Sequence, residues 1–239
     1  STVQEFADEP AAVIIKHTNP CGVAIGKNIE NALIRSLDCD RVSAFGGIIA
    51  VNREFNAICA EEISNSFFEC VVAPDFDEES QKILSIKKNL RLLKLDINNM
   101  NLNPYNIRSI LGGILVQEKD NKSINMNEWK VCTKREPTTQ EVIDLTFAWK
   151  VCRHVRSNAI VVARDGRVIG VGAGQMNRVG SANIALQSAD NDIISSKISG
   201  SVLASDGFFP FSDTVKKAKE YGVKAVIQPG GSIKDKESI

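Results

Sequence analysis

An excess of either charge is missing from this sequence. Its 29 lysines and arginines are balanced by 29 aspartates and glutamates, so neither a polybasic nucleic-acid surface nor an acidic tail is expected. No apolar run approaches the roughly 20 residues that cross a bilayer. The opening residues, STVQEFADEP, lack the basic region and apolar core of a secretory signal. Cysteine pairs at metal or redox spacing are missing too: the six cysteines, at 21, 39, 59, 70, 132 and 152, form no CxxC. That distribution predicts reduced, mostly buried thiols in a cytoplasmic protein and argues against zinc. A zinc-dependent nucleobase deaminase needs His-x-Glu and Pro-Cys-x-x-Cys; Pro20-Cys21 is present without its second cysteine. Histidine is scarce, with two in all.

What is present is an ordinary globular composition, 43% hydrophobic and 24% charged, in a length that suits one large domain or two small ones. Strand-like and helix-like segments alternate. AAVIIK is a continuous apolar run, as in a strand covered on both faces, and it enters a Thr-Asn-Pro-Cys-Gly turn. IENALIRSLDC has helical spacing. SAFGGIIAVN reads as a glycine-initiated strand, NAICAEEISNSF as a helix and FECVVAP as a strand stopping at Pro74. DEESQKILSIKKN places acids in its first turn and lysines in its last, matching the helix dipole. LRLLKLDI and RSILGGILVQEKD read as strands, the second broken at Gly112-Gly113. The polar stretch at 118–138 is a subdomain linker. A helix capped by Thr139 follows, then SNAIVVARDGRVIGVGAG, two strands around an Asp165-Gly166 hairpin. SANIALQSADN is a helix, and the remainder gives strand, Phe-rich loop, helix and strand, with Gly222 as helix stop. The fold class is α/β, in helix–sheet–helix layers arranged as two lobes. No clean internal period is visible.

Five local features carry candidate chemistry. Lys16-His17 ends an apolar strand, where open α/β sheets bind ligands. Histidine moves protons near neutral pH, and lysine stabilises developing negative charge. A solvated lysine beside a packed histidine is the bland alternative. The paired glycines of SAFGG, Ser43 to Gly47, admit a ligand or merely make a tight turn. RHVRSN, from Arg153 to Asn158, clusters arginines suited to phosphate or carboxylate, or complements a helix dipole. GVGAGQMNRV has G-x-G-x-G rather than G-x-G-x-x-G and follows a hairpin strand, so a dinucleotide reading is weak; loop amides with Arg178 can still hold an anion. SDGFFPFSD puts three phenylalanines around Pro210, between Asp206 and Asp213, where a flat ring can stack or a loop can fold onto the core.

Together, KHTNPCGVAIG, VSAFGGIIAVNR, RHVRSNAIVVARDG, GVGAGQMNRV, SDGFFPFSD and QPGGS closely resemble the AICAR transformylase domain of the bifunctional AICAR transformylase/IMP cyclohydrolase family, in the family's order and along the whole chain. The resemblance implies two cytidine-deaminase-like three-layer lobes with mixed sheets, residues 1–125 and 126–239, without the deaminases' zinc. It implies formyl transfer from 10-formyltetrahydrofolate to the 5-amino group of AICAR in purine biosynthesis. It also implies a homodimer with sites across the interface, and it leaves room for a monovalent cation. Carried over position by position, Lys16, His17 and Asn158 would be catalytic. Gly46, Glu69, Arg178 and Phe208 would bind AICAR, along with His17 and Asn158. Val179, Asp213, Ser232 and Ile233 would contact the folate.

The family's Arg-Tyr-Gly-Glu-Asn-Pro segment and its basic, His-rich end are not found, which implies a shortened form without the cyclohydrolase domain. Gly180 and Asn183 stand where the family has an acidic and a basic residue. Two other readings stay open: a non-catalytic, dimeric nucleotide- or folate-binding fragment, and a deaminase-like hydrolase.

Overall fold

The computed structural model describes residues 2–96, 104–120, 122–190 and 198–239. A 3₁₀ turn, Thr2–Phe6, precedes β1 (Ala11–Lys16) and β2 (Asn19–Ile25), followed by α1 (Ile29–Leu37), α2 (Arg41–Ala44), β3 (Ile48–Val51), α3 (Ala57–Ser64), β4 (Cys70–Ala73), α4 (Glu78–Ser85) and β5 (Arg91–Lys94). A hairpin of β6 (Tyr105–Ile110) and β7 (Gly113–Glu118) comes next, then α5 (Thr139–Cys152), β8 (Ile160–Arg164), β9 (Arg167–Gly172), α6 (Arg178–Asp190), β10 (Val202–Ser205), α7 (Asp213–Glu220), β11 (Ala225–Ile227) and α8 (Asp235–Ser238).

Nine strands form one mixed sheet in the order β11-β10-β8-β9-β2-β1-β3-β4-β5. Alternation along each strand sends side chains to opposite faces. Val13 of β1, Val161 of β8 and Val202 of β10 join Leu145, Ala148 and Val151 of α5 on one face. On the other, Ile14 and Ile49 pack with Leu33 of α1 and Ile63 of α3, while Ile160, Val162 and Leu203 pack with Ala182 and Leu186 of α6. Burial on both faces is why these strands read as continuous apolar runs rather than alternating ones.

The two halves of the sheet share one connectivity, which no sequence period reveals. Each begins with an antiparallel hairpin, β1–β2 or β8–β9. Each then adds a strand antiparallel to the hairpin's first strand, β3 or β10. Each extends by a parallel neighbour, β4 or β11. The halves meet where β2 pairs antiparallel with β9 through Ala24 and Arg167.

Local expectations are corrected at several points. The turn after β1 is His17-Thr18 alone, because Lys16 pairs with Asn19 and β2 already contains Pro20 and Cys21. Ser43 and Ala44 lie in α2, capped by Asp40, and the strand starts only at Ile48. The segment around Gly112-Gly113 is a hairpin rather than one broken strand. Thr138, not Thr139, caps α5, with Glu141 closing a capping box. Lys87 and Lys88 fall beyond the end of α4, whose last turn holds Lys82. Ile97, Asn121 and Asn191, within the expected strand, linker and helix, lie outside the described residues.

Candidate active site

Strand directions decide where the candidate residues lie. β1 runs antiparallel to β3, with Ile15 opposite Ile48, so the end of β1 meets the residues just before β3 and β4. Lys16, Gly46 and Glu69 therefore gather at one end of the sheet. β9 runs antiparallel to β2, which puts its last residues beside the start of β2. Ile160 is opposite both Gly172 and Ser205, so Asn158, Arg178 and Phe208 reach that same end. Asp213, Ser232 and Ile233 follow β10 and its parallel neighbour β11 there.

The first group is built around Lys16. Its ammonium donates to the Phe45 carbonyl at 2.6 Å. Gly46, at φ 69°, leaves space at the amine that a Cβ would fill at 2.9 Å. The Gly46 amide donates to the Phe67 carbonyl (2.8 Å), and the Glu69 amide to the Gly47 carbonyl (3.0 Å). The Glu69 carboxylate pairs with Arg91 at 2.7 Å. Exposed Phe45 and Phe67 rings sit 5.6 Å apart beside this group. Cys21 lies close by in β2, but burial foremost, with Asp40 adding to it, pushes its thiol up to about 11. At that value it is not a thiolate nucleophile at neutral pH.

His17 is exposed at the tip of the turn, with φ 48°, followed by Thr18 with φ 65°. Both are left-handed conformations that non-glycine residues rarely adopt, a β-branched threonine least of all. Arg156 braces the turn: its Nε donates to Thr18 Oγ1 at 3.1 Å and its amide to Asn19 Oδ1 at 2.9 Å.

The second group is built around Arg178, the first residue of α6. Its guanidinium donates to Ser205 Oγ at 2.9 Å and to the Asp206 carboxylate. Asp206 also accepts from the Ala159 amide (3.0 Å). Burial pushes the Asp206 carboxyl up, but hydrogen bonds from Ser157, Arg178 and Ala159 outweigh it and hold the group below its ordinary value. The guanidinium lies so close over Gly207 that a Cβ there would meet Nη2 at 2.5 Å. Asn158 donates to the Gln175 carbonyl at 2.8 Å, while its own carbonyl accepts from Ser181 at 2.7 Å.

Within the Phe-rich loop, Phe209 is buried, whereas Phe208 and Phe211 are 46% and 53% exposed. Lys234 sits over the Phe211 ring at 4.9 Å, which draws the Ser232-Ile233 segment to that loop. The Ser232 amide donates to Asp235 at 3.1 Å, and Ile233 is fully exposed. Val179 follows Arg178 on α6, and Asp213 opens α7, its carboxylate accepting from the Thr214 amide at 2.7 Å.

The outermost members of the two groups lie far apart. Six strand-to-strand steps separate β4, which follows Glu69, from β10, which precedes Phe208. At about 4.8 Å per step that is on the order of 30 Å. The arginine-rich stretch also divides: Arg153 and His154 both engage Glu5, at 3.2 and 3.0 Å, whereas Arg156 braces the turn. Thr18, Arg156, Ser205 and Asp206 all fall inside the motifs KHTNPCG, RHVRSN and SDGFFPFSD, but only Arg156 is expected to act there, as part of an anion-binding arginine cluster; the bracing of the turn by Arg156 and Thr18, and the hold of Ser205 and Asp206 on Arg178, are visible only in the fold. Among the described residues no cluster of three or more His, Cys, Asp or Glu could hold a metal ion, and no helix is long and apolar enough to cross a membrane.

The family described as AICARFT/IMPCHase bienzyme matches residues 1–188. The chain is 58% identical over 232 residues to the bifunctional purine biosynthesis protein PurH of Prochlorococcus marinus (strain MIT 9211), covering 97% of this chain and 44% of that protein. It is 56% identical over 245 residues to the PurH of Parasynechococcus marenigrum (strain WH8102), covering 100% of this chain and 46% of the relative. It thus spans about half the length of these curated relatives. A solved structure of Acinetobacter baumannii RibD overlaps 38% of this chain and 33% of its own, at 15% identity and a TM-score of 0.32, too little to bear on fold or activity.

Proposed function

The chain belongs to the AICARFT/IMPCHase bienzyme family, and from that premise we propose that it transfers the formyl group of 10-formyltetrahydrofolate to the 5-amino group of AICAR, releasing tetrahydrofolate and 5-formamido-AICAR. The observation that carries the reading is the strained Lys16-His17-Thr18 turn at the end of the sheet where every other candidate residue gathers. Strain of this kind persists where the surroundings over-determine it, and it concentrates at functional sites.

The AICAR amine is a poor nucleophile because its lone pair is delocalised into the imidazole and carboxamide. Attack on the formyl carbon makes the nitrogen acidic and places negative charge on oxygen. His17 takes the proton as general base, an effect of about 10²–10⁴-fold, and the formyl C–N10 bond then breaks as N10 of the departing tetrahydrofolate gains a proton. Lys16 meets the developing oxyanion; its bond to Phe45 orients the ammonium beforehand, so little reorganisation is needed during reaction. Asn158 orients the amine. Arg178 recognises the anionic part of AICAR, Phe208 covers its ring, Gly46 leaves space for it and Glu69 accepts from ribose hydroxyls. Val179, Asp213, Ser232 and Ile233 receive the folate beside the Phe-rich loop. A cytoplasmic enzyme of two lobes, 1–125 and 126–239, fits this reading.

The separation on the order of 30 Å between the Glu69 and Phe208 groups favours a homodimer in which one subunit supplies Lys16, His17, Gly46 and Glu69, and its partner supplies the remainder. The β6–β7 hairpin supports the same assembly. Every residue of both strands is exposed, including Ile107, Ile114, Leu115 and Val116. Isolated two-stranded hairpins are marginal in water, and apolar patches of this kind mark interaction surfaces.

The test is a spectrophotometric assay of tetrahydrofolate release with AICAR and 10-formyltetrahydrofolate. Turnover that disappears in His17→Ala while AICAR binding persists is expected. AICAR binding by the unmodified protein without turnover would replace this reading with a non-catalytic binding role.

A further inference from the structure

We infer that Arg156 and Thr18 form a clamp that positions His17 for proton transfer, although neither touches the reacting atoms. The inference rests on the formyltransferase reading and adds two positioning residues to it. Three observations carry it. First, the turn holds two consecutive non-glycine residues at positive φ, His17 at 48° and Thr18 at 65°. A two-residue hairpin turn of this hand normally uses Asn-Gly or Asp-Gly, so local preference does not hold it in place. Second, the brace comes from the far half of the sheet: Arg156 Nε bonds Thr18 Oγ1 at 3.1 Å and the Arg156 amide bonds Asn19 Oδ1 at 2.9 Å, so the turn is fixed on both of its last positions. Third, Arg156 is itself held, because its carbonyl accepts from the Gly174 amide at 2.8 Å. The guanidinium therefore acts from a fixed backbone rather than as a free surface side chain.

Backbone geometry at Thr18 sets the direction in which the imidazole leaves the chain one residue earlier. Small displacements of a catalytic group cost turnover more than binding. A hydroxyl acceptor at position 18 is required, not its methyl group, so three substitutions separate positioning from packing. Thr18→Val keeps the shape and removes the acceptor; Thr18→Ser keeps the acceptor; Arg156→Ala removes the donor.

The experiment measures steady-state kinetics of the protein alongside the imidazole Cε1–H proton resonances. With two histidines in the chain, a His17→Gln variant assigns the signals. Thr18→Val and Arg156→Ala are each expected to lower kcat about 10- to 100-fold, with KM for AICAR within about twofold. The double variant is expected to be no slower than the worse single, since the two groups act as one unit, and Thr18→Ser is expected to retain turnover. The His17 resonance should move toward the position of a free imidazole in Thr18→Val and keep its native position in Thr18→Ser. Unchanged kcat and an unchanged His17 resonance in a folded Thr18→Val protein would overturn the clamp, as would additive losses in the double variant. Absence of turnover in the unmodified protein would instead overturn the formyltransferase reading, and the resonance would still decide whether Arg156 and Thr18 hold His17.

Discussion

The hairpin that opens each half of the sheet turns over the same number of residues but with opposite chemistry. In β8–β9, Arg164 pairs with Arg167 around Asp165-Gly166, at φ 53° and 65°. In β1–β2, Lys16 pairs with Asn19 around His17-Thr18, at 48° and 65°. Asp-Gly is what such a turn favours. The buried Asp144 carboxylate completes it by accepting from the Asp165 and Gly166 amides at 3.0 and 2.9 Å. His-Thr is not favoured, and a side-chain clamp from the other half replaces the missing preference. The antiparallel β2–β9 junction also places the two turns at opposite ends of the sheet. A local rule kept in one copy and broken in the other, at the end where the candidate site lies, separates scaffold from function.

The comparison breaks most visibly if the β1–β2 turn is given its partner's chemistry. A His17→Asp, Thr18→Gly protein should lose about 100-fold or more in turnover, the scale of a missing general base. The same protein should be more stable by about 1–2 kcal/mol, since left-handed strain is relieved; paired activity and urea-unfolding measurements check both signs. The next effect belongs to the other turn. Asp144→Ala leaves the buried Gly166 amide and the part-buried Asp165 amide without their acceptor and should cost about 2 kcal/mol, lowering the melting temperature by several degrees in calorimetry. Turnover per folded molecule should hardly change.

Smaller effects test the Arg178 group. Gly207→Ala drives a Cβ into the guanidinium and should weaken AICAR binding about tenfold by titration calorimetry, the scale of one hydrogen bond to a charged group. Asp206 gives the mildest signal. Its folded carboxyl lies below its ordinary value, so the stability it contributes is present above about pH 4 and is lost as pH falls through the lower folded value. Acid-unfolding curves should show that component, and Asp206→Asn should lack it.

Much of the scaffold was legible because it is written locally. The apolar runs, the Asp165-Gly166 turn and the Gly222 stop, at φ 81°, announce themselves by residue type. Lys16-His17 stood out as an ionisable pair at a strand end. The clamp is not legible, because Thr18 and Arg156 are 138 positions apart and neither the Thr-Asn-Pro-Cys-Gly turn nor the arginine cluster points to the other. The repeated connectivity was hidden for a similar reason: it lies in strand direction, whereas periodicity reports only which residues are apolar. Thr138 and Thr139 are adjacent and equally able to cap, so the Glu141 partnership had to be seen to choose between them. Nor does the pattern of β6 and β7 tell that both faces of their hairpin stand outside the main core.

The most direct measurement of the central claim is a crystal structure of the protein with AICAR bound. The account predicts the 5-amino nitrogen within about 2.6–3.2 Å of a His17 ring nitrogen, or one water away, with the Lys16 ammonium on the side where the formyl oxygen would lie. AICAR seated with its amine turned away from the His17-Thr18 turn, in every subunit of the assembly, would contradict it.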